Sequence, residues 1–188
     1  MQTYFGIFTI ALFIGLVLFR VRNLRKQGIE AMEFGGKDKK DFFILPFALF
    51  YFYLIIANAF GLPTIKGQEL FRSQSVSWIG VLVCSVAVGF FLWSMISFRK
   101  SFRVGLVENT EQGLITTGAF AISRNPVYVS FAMMLIGQFL IFPSWILLIY
   151  IIIGILRFHI QVLKEEKFLT EQYGEEFKQY CKKTGRYF

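Results

Sequence analysis

VYVSFAMMLIGQFLIFPSWILLIYIIIGIL, residues 127–156, runs from end to end without one charged side chain. At 1.5 Å per residue a straight helix of this stretch would reach about 45 Å, against a hydrocarbon core of roughly 30 Å. Pro143-Ser144 lies near its middle, where proline removes a backbone donor and breaks or kinks a helix. Two folds satisfy these facts: one kinked span, or a hairpin whose two short arms return to the same side. Upstream of it, Thr3–Phe19, Phe42–Leu62 and Val76–Phe98 are the other apolar segments that approach membrane-spanning length.

Charge decides between the two folds. The Arg20–Asp41 loop carries seven Lys/Arg, the Arg99–Pro126 loop four, and the chain from Arg157 onward seven, whereas Gly61–Ser75 carries only Lys66 and Arg72. Cytoplasmic flanks are enriched in Lys/Arg. A hairpin puts all three basic blocks on one side and leaves only Lys66 and Arg72 on the other. A kinked single span would send the basic C-terminal block outside. The expected fold is therefore all-α and membrane-integral. It has five transmembrane helices, the last two a Pro-broken hairpin, and a cytoplasmic amphipathic C-terminal helix.

Composition agrees. Of 188 residues, 55% are hydrophobic, 24 are Phe and only 17% are charged, where a soluble domain carries about 25% charged residues. Met1–Phe19 has neither a basic start nor a small-residue cleavage site, so it reads as a retained helix. The net charge of +8 reflects topology and an attraction to anionic lipid headgroups. A nucleic-acid partner has little support, because no basic stretch is interleaved with aromatics outside a membrane flank. Cys84 and Cys181 form no metal-ligand spacing and no expected disulfide, and nothing implies an obligate protein partner. Residues 1–98 read as a three-helix scaffold; 99–188 carry the chemistry, the whole forming one integrated domain.

Polar groups gather at both ends of the uncharged stretch. Arg124-Asn125-Pro126-Val127-Tyr128 opens it, and Glu165-Glu166 lies beyond its far end. Pro126 fits the first turn of a helix and Asn125 its N-cap. That helix start would direct partial positive charge at the cytoplasmic rim, where a carboxylate or phosphate would be favoured. Arg124 reads either as a further donor or as a snorkelling flank residue. Beyond the hairpin, Arg157, Gln161 and Glu165 share one helix face by their spacing of four. The stripe continues into Leu169, Tyr173 and Phe177, so Glu165 is expected on the inward face. An unpaired carboxylate there is costly, and an ionisable group at membrane depth is a functional candidate; the bland alternative pairs it with Arg157 or Lys164. Glu166 points elsewhere and reads as solvated, and His159 reads as a packed, hydrogen-bonded residue. The polar loop GLVENTEQGLITTGAFAIS, residues 105–123, is punctuated by Gly113 and Gly118. Its Leu114, Ile115, Phe120 and Ile122 are too apolar for a free loop and should pack onto the helices or a flat ligand.

Residues 113–188, the C-terminal part of the chain, resemble the isoprenylcysteine carboxyl methyltransferase and phospholipid methyltransferase group of integral membrane enzymes. The matching stretches are LITTGAFAISRNPVY (114–128), the hairpin, EEKFLTEQYGEEFKQY (165–180) and the tail Thr184-Gly185-Arg186-Tyr187. The resemblance implies a pocket for S-adenosylmethionine roofed by the loop and the C-terminal helix. It implies loop contacts to that cofactor from Gln112, Gly113, Leu114 and Ile115, an aromatic contact from Phe120, further contacts from Asn125, Pro126, Val127 and Tyr128, and a cofactor-binding carboxylate at Glu165. No metal is implied. Asn125 stands where the eukaryotic members have His, and Gln161 where the prenylcysteine enzymes have an Arg that meets the substrate carboxylate. Arg157, one turn away, is the candidate to compensate, so Gln161 and Arg157 are the expected acceptor contacts. The reading is methyl transfer from S-adenosylmethionine to a lipophilic or small membrane-partitioned acceptor, with the active site facing the cytoplasm. Two alternatives differ in class. An NADPH-dependent membrane reductase of the sterol-reductase type needs basic residues dedicated to a 2′-phosphate; a membrane scaffold or transporter subunit leaves an inward Glu165 unexplained.

The charge asymmetry makes the topology testable. Cysteines introduced singly into a protein lacking Cys84 and Cys181, then labelled from each side, should place residues 105 and 188 inside and the N-terminus outside. An external C-terminus would require the single kinked span.

Overall fold

The computed structural model describes residues 1–26, 44–98 and 113–188. Six α-helices occupy them: α1 (Gln2–Lys26), α2 (Ile44–Phe60), α3 (Gln74–Ser97), α4 (Pro126–Ile141), α5 (Trp145–Tyr173) and α6 (Glu175–Lys183). A short 3-10 turn, Gly118–Ala121, precedes α4. α1 continues well past Phe19 through Arg20 and Arg22, because basic side chains limit how much of a helix lies in lipid without ending the helix. Ser73 starts α3 and Ser144 starts α5, each accepting a first-turn backbone N–H at its hydroxyl.

The uncharged stretch is a hairpin. Pro143-Ser144 separates α4 from α5. Tyr128 meets Glu165, Phe131 meets Phe158 and Gly154 lies against Leu135, so numbering rises along one arm as it falls along the other. α1, α3 and α5 are long and apolar enough to cross a membrane; α4 and the apolar part of α2 are shorter. The 16 residues of α4 span about 24 Å, short of a roughly 30 Å core. At the far end the α2–α3 connection folds over the turn. Leu70 N–H donates to the Pro143 carbonyl at 2.9 Å and Trp145 N–H to the Gln68 carbonyl at 3.0 Å. The buried Gln68 side chain accepts from the Ser144 hydroxyl. Backbone groups exposed by the proline break thus find protein partners where lipid offers none.

One apolar core joins the helices. Phe13, Phe91 and Phe131 from α1, α3 and α4 make a three-ring cluster with centroids 4.6–5.8 Å apart. The buried Gln138 of α4 donates to the Gly6 carbonyl of α1 at 2.9 Å. Outward-facing residues such as Phe8, Leu82, Ile96, Ile152 and Leu156 are exposed, an apolar surface suited to lipid. α3 and α4 cross closely at two glycines. A Cβ on Gly80 would lie 2.7 Å from the Gly137 carbonyl oxygen, and one on Gly137 would lie 2.5 Å from the Cys84 sulfur. Small residues at such crossings let backbones approach.

Because the obstacle at Gly80 is backbone, it cannot swing aside. Gly80→Ala should destabilise the protein by about 1–3 kcal/mol, the range for overpacking a tight contact. Thermal melts in detergent check this; an unchanged midpoint would show that the two helices separate freely.

Candidate active site

Three elements converge where the hairpin opens: the start of α4, the polar half of α5, and the 113–125 segment under α6. Glu165 is central and partly buried. Its Oε1 accepts the Tyr128 hydroxyl at 2.6 Å and the Gln161 amide at 3.0 Å; its Oε2 has no partner among the described residues. Of the expected stripe of Arg157, Gln161 and Glu165, the last two are joined, and the bland pairing of Glu165 with Arg157 or Lys164 is not formed. Arg157 is exposed and makes no ion pair among the described residues. Two neutral donors on one oxygen keep the carboxylate in place without cancelling its charge.

The expectation of a solvated Glu166 is overturned. Its residue exposure is 8%, and both oxygens are engaged. Arg124 Nε and Asn125 Nδ2 donate to Oε1 at 3.1 and 3.2 Å, and Arg186 Nε donates to Oε2 at 2.9 Å. Successive helical residues differ by about 100° of rotation, so while Glu165 turns to Tyr128, Glu166 turns to the C-terminal tail. Nor does Arg124 snorkel: its Nη1 donates to the carbonyls of Cys181 and Thr184 at 3.1 and 3.0 Å. Asn125 occupies the N-cap position as expected, yet its side chain makes no capping bond. Its amide is spent on Glu166 and on the Arg186 carbonyl. Pro126 takes the first helical position and is fully buried, while Val127 packs against the main core. The hydrogen bond from Arg186 to Glu166 raises the pKa of its guanidinium further.

The loop residues behave largely as their apolarity requires. Leu114 and Ile115 pack against a small core of Phe120, Phe177 and Tyr180, joined by Leu169 and Tyr173. Phe120 also meets Phe98 edge-on at 4.5 Å. The buried Tyr180 hydroxyl donates to the Phe120 carbonyl at 2.6 Å, and burial pushes its pKa up. Ile122 departs from expectation and is 47% exposed. Gly118 adopts φ +67°, and a Cβ there would run into the Ser97 hydroxyl, which accepts the Ala119 N–H. Gly113 meets no such constraint, and Gln112 lies outside the described residues. The stripe from Glu165 through Leu169 and Tyr173 to Phe177 crosses two helices, because Gly174, at φ +51°, ends α5. His159 hydrogen-bonds the Tyr187 hydroxyl at 2.7 Å, as expected for a packed residue. Ser97, Tyr180 and the role of Arg186 escaped sequence reasoning; only the tail motif Thr184–Tyr187 hinted at the last.

Residues 76–176, more than half the chain, match the model of the phospholipid methyltransferase family. The chain belongs to that family. It is therefore an S-adenosylmethionine-dependent membrane methyltransferase of the isoprenylcysteine carboxyl methyltransferase-like group. The matched region holds all but the first two residues of α3, the loop, the hairpin and all of α5, including Tyr128, Glu165 and Glu166; the tail with Arg186 lies beyond it. No curated protein matches the chain.

Proposed function

We propose that the methyl donor binds at the open end of the hairpin, with Glu165 as the carboxylate that receives its amino-acid ammonium. What supports this reading is the state of Glu165: one oxygen is oriented by Tyr128 and Gln161, and the other has no partner among the described residues. A partly buried carboxylate with an uncommitted oxygen suits a cationic group. The start of α4 complements it. Because the Asn125 side chain is diverted, the first turn of α4 lacks a side-chain cap, and its N–H groups suit the donor's carboxylate. Gly113, Leu114, Ile115 and Phe120 form the loop side, Pro126 and Val127 the floor, and Gln112 belongs to the same segment by sequence.

S-adenosylmethionine supplies an electrophilic methyl group on a sulfonium. The chain's task is to hold that methyl in line with the acceptor's nucleophile, so orientation carries much of the rate. Phe131 and Phe158 lie side by side just inside Tyr128 and offer an apolar wall to an acceptor arriving from the bilayer. Gln161 is committed to Glu165, and Arg157, one turn before Gln161 on α5 and without an ion pair among the described residues, is the cation offered to an acidic acceptor. We assign the acceptor as a neutral or thiol-bearing lipophile, since an unpaired carboxylate in a low-dielectric site is costly. Five spans, an outside N-terminus and a cytoplasmic site, attracted to anionic headgroups, complete the proposal. The reductase and scaffold alternatives gain no support from the family match.

Calorimetry in detergent tests the pocket. Glu165→Gln and Tyr128→Phe should each weaken S-adenosylhomocysteine binding by about 1–3 kcal/mol, the cost of losing a charge-assisted hydrogen bond or its orienting donor; undiminished affinity in both would remove the site from this face. Radiolabelled methyl transfer tests the acceptor. A farnesylcysteine analogue should turn over slowly beside matched amine and thiol lipophiles, whereas rapid turnover that disappears in Arg157→Ala would make the acceptor a carboxylate held by Arg157.

A further inference from the structure

We infer that Glu166 is a positioning residue: with Arg124 and Arg186 it clamps the C-terminal tail to the start of α4, and this clamp sets where Glu165 and Tyr128 stand. The inference rests on the methyltransferase reading above and adds a role for residues that do not touch the donor.

Glu166 has no capacity left for a ligand. Its two oxygens accept from Arg124, Asn125 and Arg186, so it is not a second cofactor carboxylate. What it organises is a set of cross-links between distant parts of the chain. Arg124 N–H donates to the Gly185 carbonyl at 3.0 Å. The Ser123 hydroxyl and the Asn125 amide both donate to the Arg186 carbonyl, and Tyr187 closes onto His159 of α5. Arg124 also takes up carbonyls at the end of α6, the negative end of that helix. The tail turns so tightly that a Cβ on Gly185 would collide with the Phe188 carbonyl. Residues 123–125 are thereby held between α5 and the tail, and Tyr128 follows within one turn of helix.

The geometry couples the two carboxylates. Glu165 and Glu166 are neighbours on one rigid helix, so the rotation that buries Glu166 among the arginines is the rotation that presents Glu165 to Tyr128. Two guanidiniums around one carboxylate make the arrangement asymmetric. Removing Glu166 leaves two cations facing one another, whereas removing Arg186, whose side chain is 37% exposed, leaves Glu166 paired with Arg124 and loosens the tail that holds residues 123–125. Arg186 lies outside the family-matched residues, so the clamp joins that region to a segment beyond it.

The test uses the full chain in detergent, with Arg186→Met, Glu166→Gln and the double substitution. Arg186→Met should weaken S-adenosylhomocysteine binding about tenfold and Glu166→Gln at least as much, the scale on which residues that orient a binding group act. The double change should also cost about tenfold rather than a hundredfold, because the two residues act through one clamp. The KM for the donor should rise more than kcat falls, and Arg186→Lys should restore part of the affinity. Alkylation of Cys181, which lies beside the clamp, should quicken several-fold in Arg186→Met while the buried Cys84 stays unreactive. Should Glu166→Gln fail to fold, Arg186→Met carries the binding and alkylation tests alone. Wild-type binding together with unchanged affinity and unchanged alkylation in Arg186→Met overturns the clamp and leaves the pocket standing. A wild-type protein that takes up no S-adenosylhomocysteine overturns the pocket and the clamp's role together.

Discussion

The open end of the hairpin is held shut by carboxylates on one arm answering donors on the other. Glu165 receives Tyr128, and Glu166 receives Arg124 and Asn125. Apolar packing brings α4 and α5 together but is non-directional; these polar contacts define their register and rotation. Partly buried carboxylates are costly unless met by charge or hydrogen bonds, so few alternative registers of the two arms would satisfy both. The loop, α6 and the tail all refer to this junction. The 3-10 turn leads into it, α6 lies over that turn through Tyr180, and the tail is pinned to it by Arg186.

The opposite end solves a different problem. Pro143 makes the hairpin possible by ending α4, whose 16 residues are short for a full crossing. The α2–α3 connection supplies the missing partners at Leu70 and Gln68, and the Gly80–Gly137 crossing sets how closely α4 approaches α3. The first three helices thus do more than anchor: they support the back of the arm whose front carries Tyr128.

The hairpin was legible in the sequence because length, proline position and basic-residue asymmetry all act on the same uncharged stretch from Val127 to Leu156. Glu165 was legible through its spacing from Gln161 and from the apolar Leu169 and Tyr173. Glu166 was not, because its partners sit 42 residues before it and 20 after it, and no periodicity records a contact across that distance. Asn125 misled for a related reason: the local rule for helix caps is sound, but a buried carboxylate competes for the same amide. Gly118 announced an unusual backbone, whereas its neighbour Ser97 could not be paired with it before the fold was known.

We propose that the methyl donor sits between the 113–128 segment and the polar half of α5. Ultraviolet crosslinking of radiolabelled S-adenosylmethionine to the intact protein, followed by peptide mapping, addresses it directly. Label confined to peptides spanning 113–128 and 157–173, and displaced by S-adenosylhomocysteine, is the expected result. Displaceable label on α1, α2 or the α2–α3 connection would place the donor elsewhere and contradict the account.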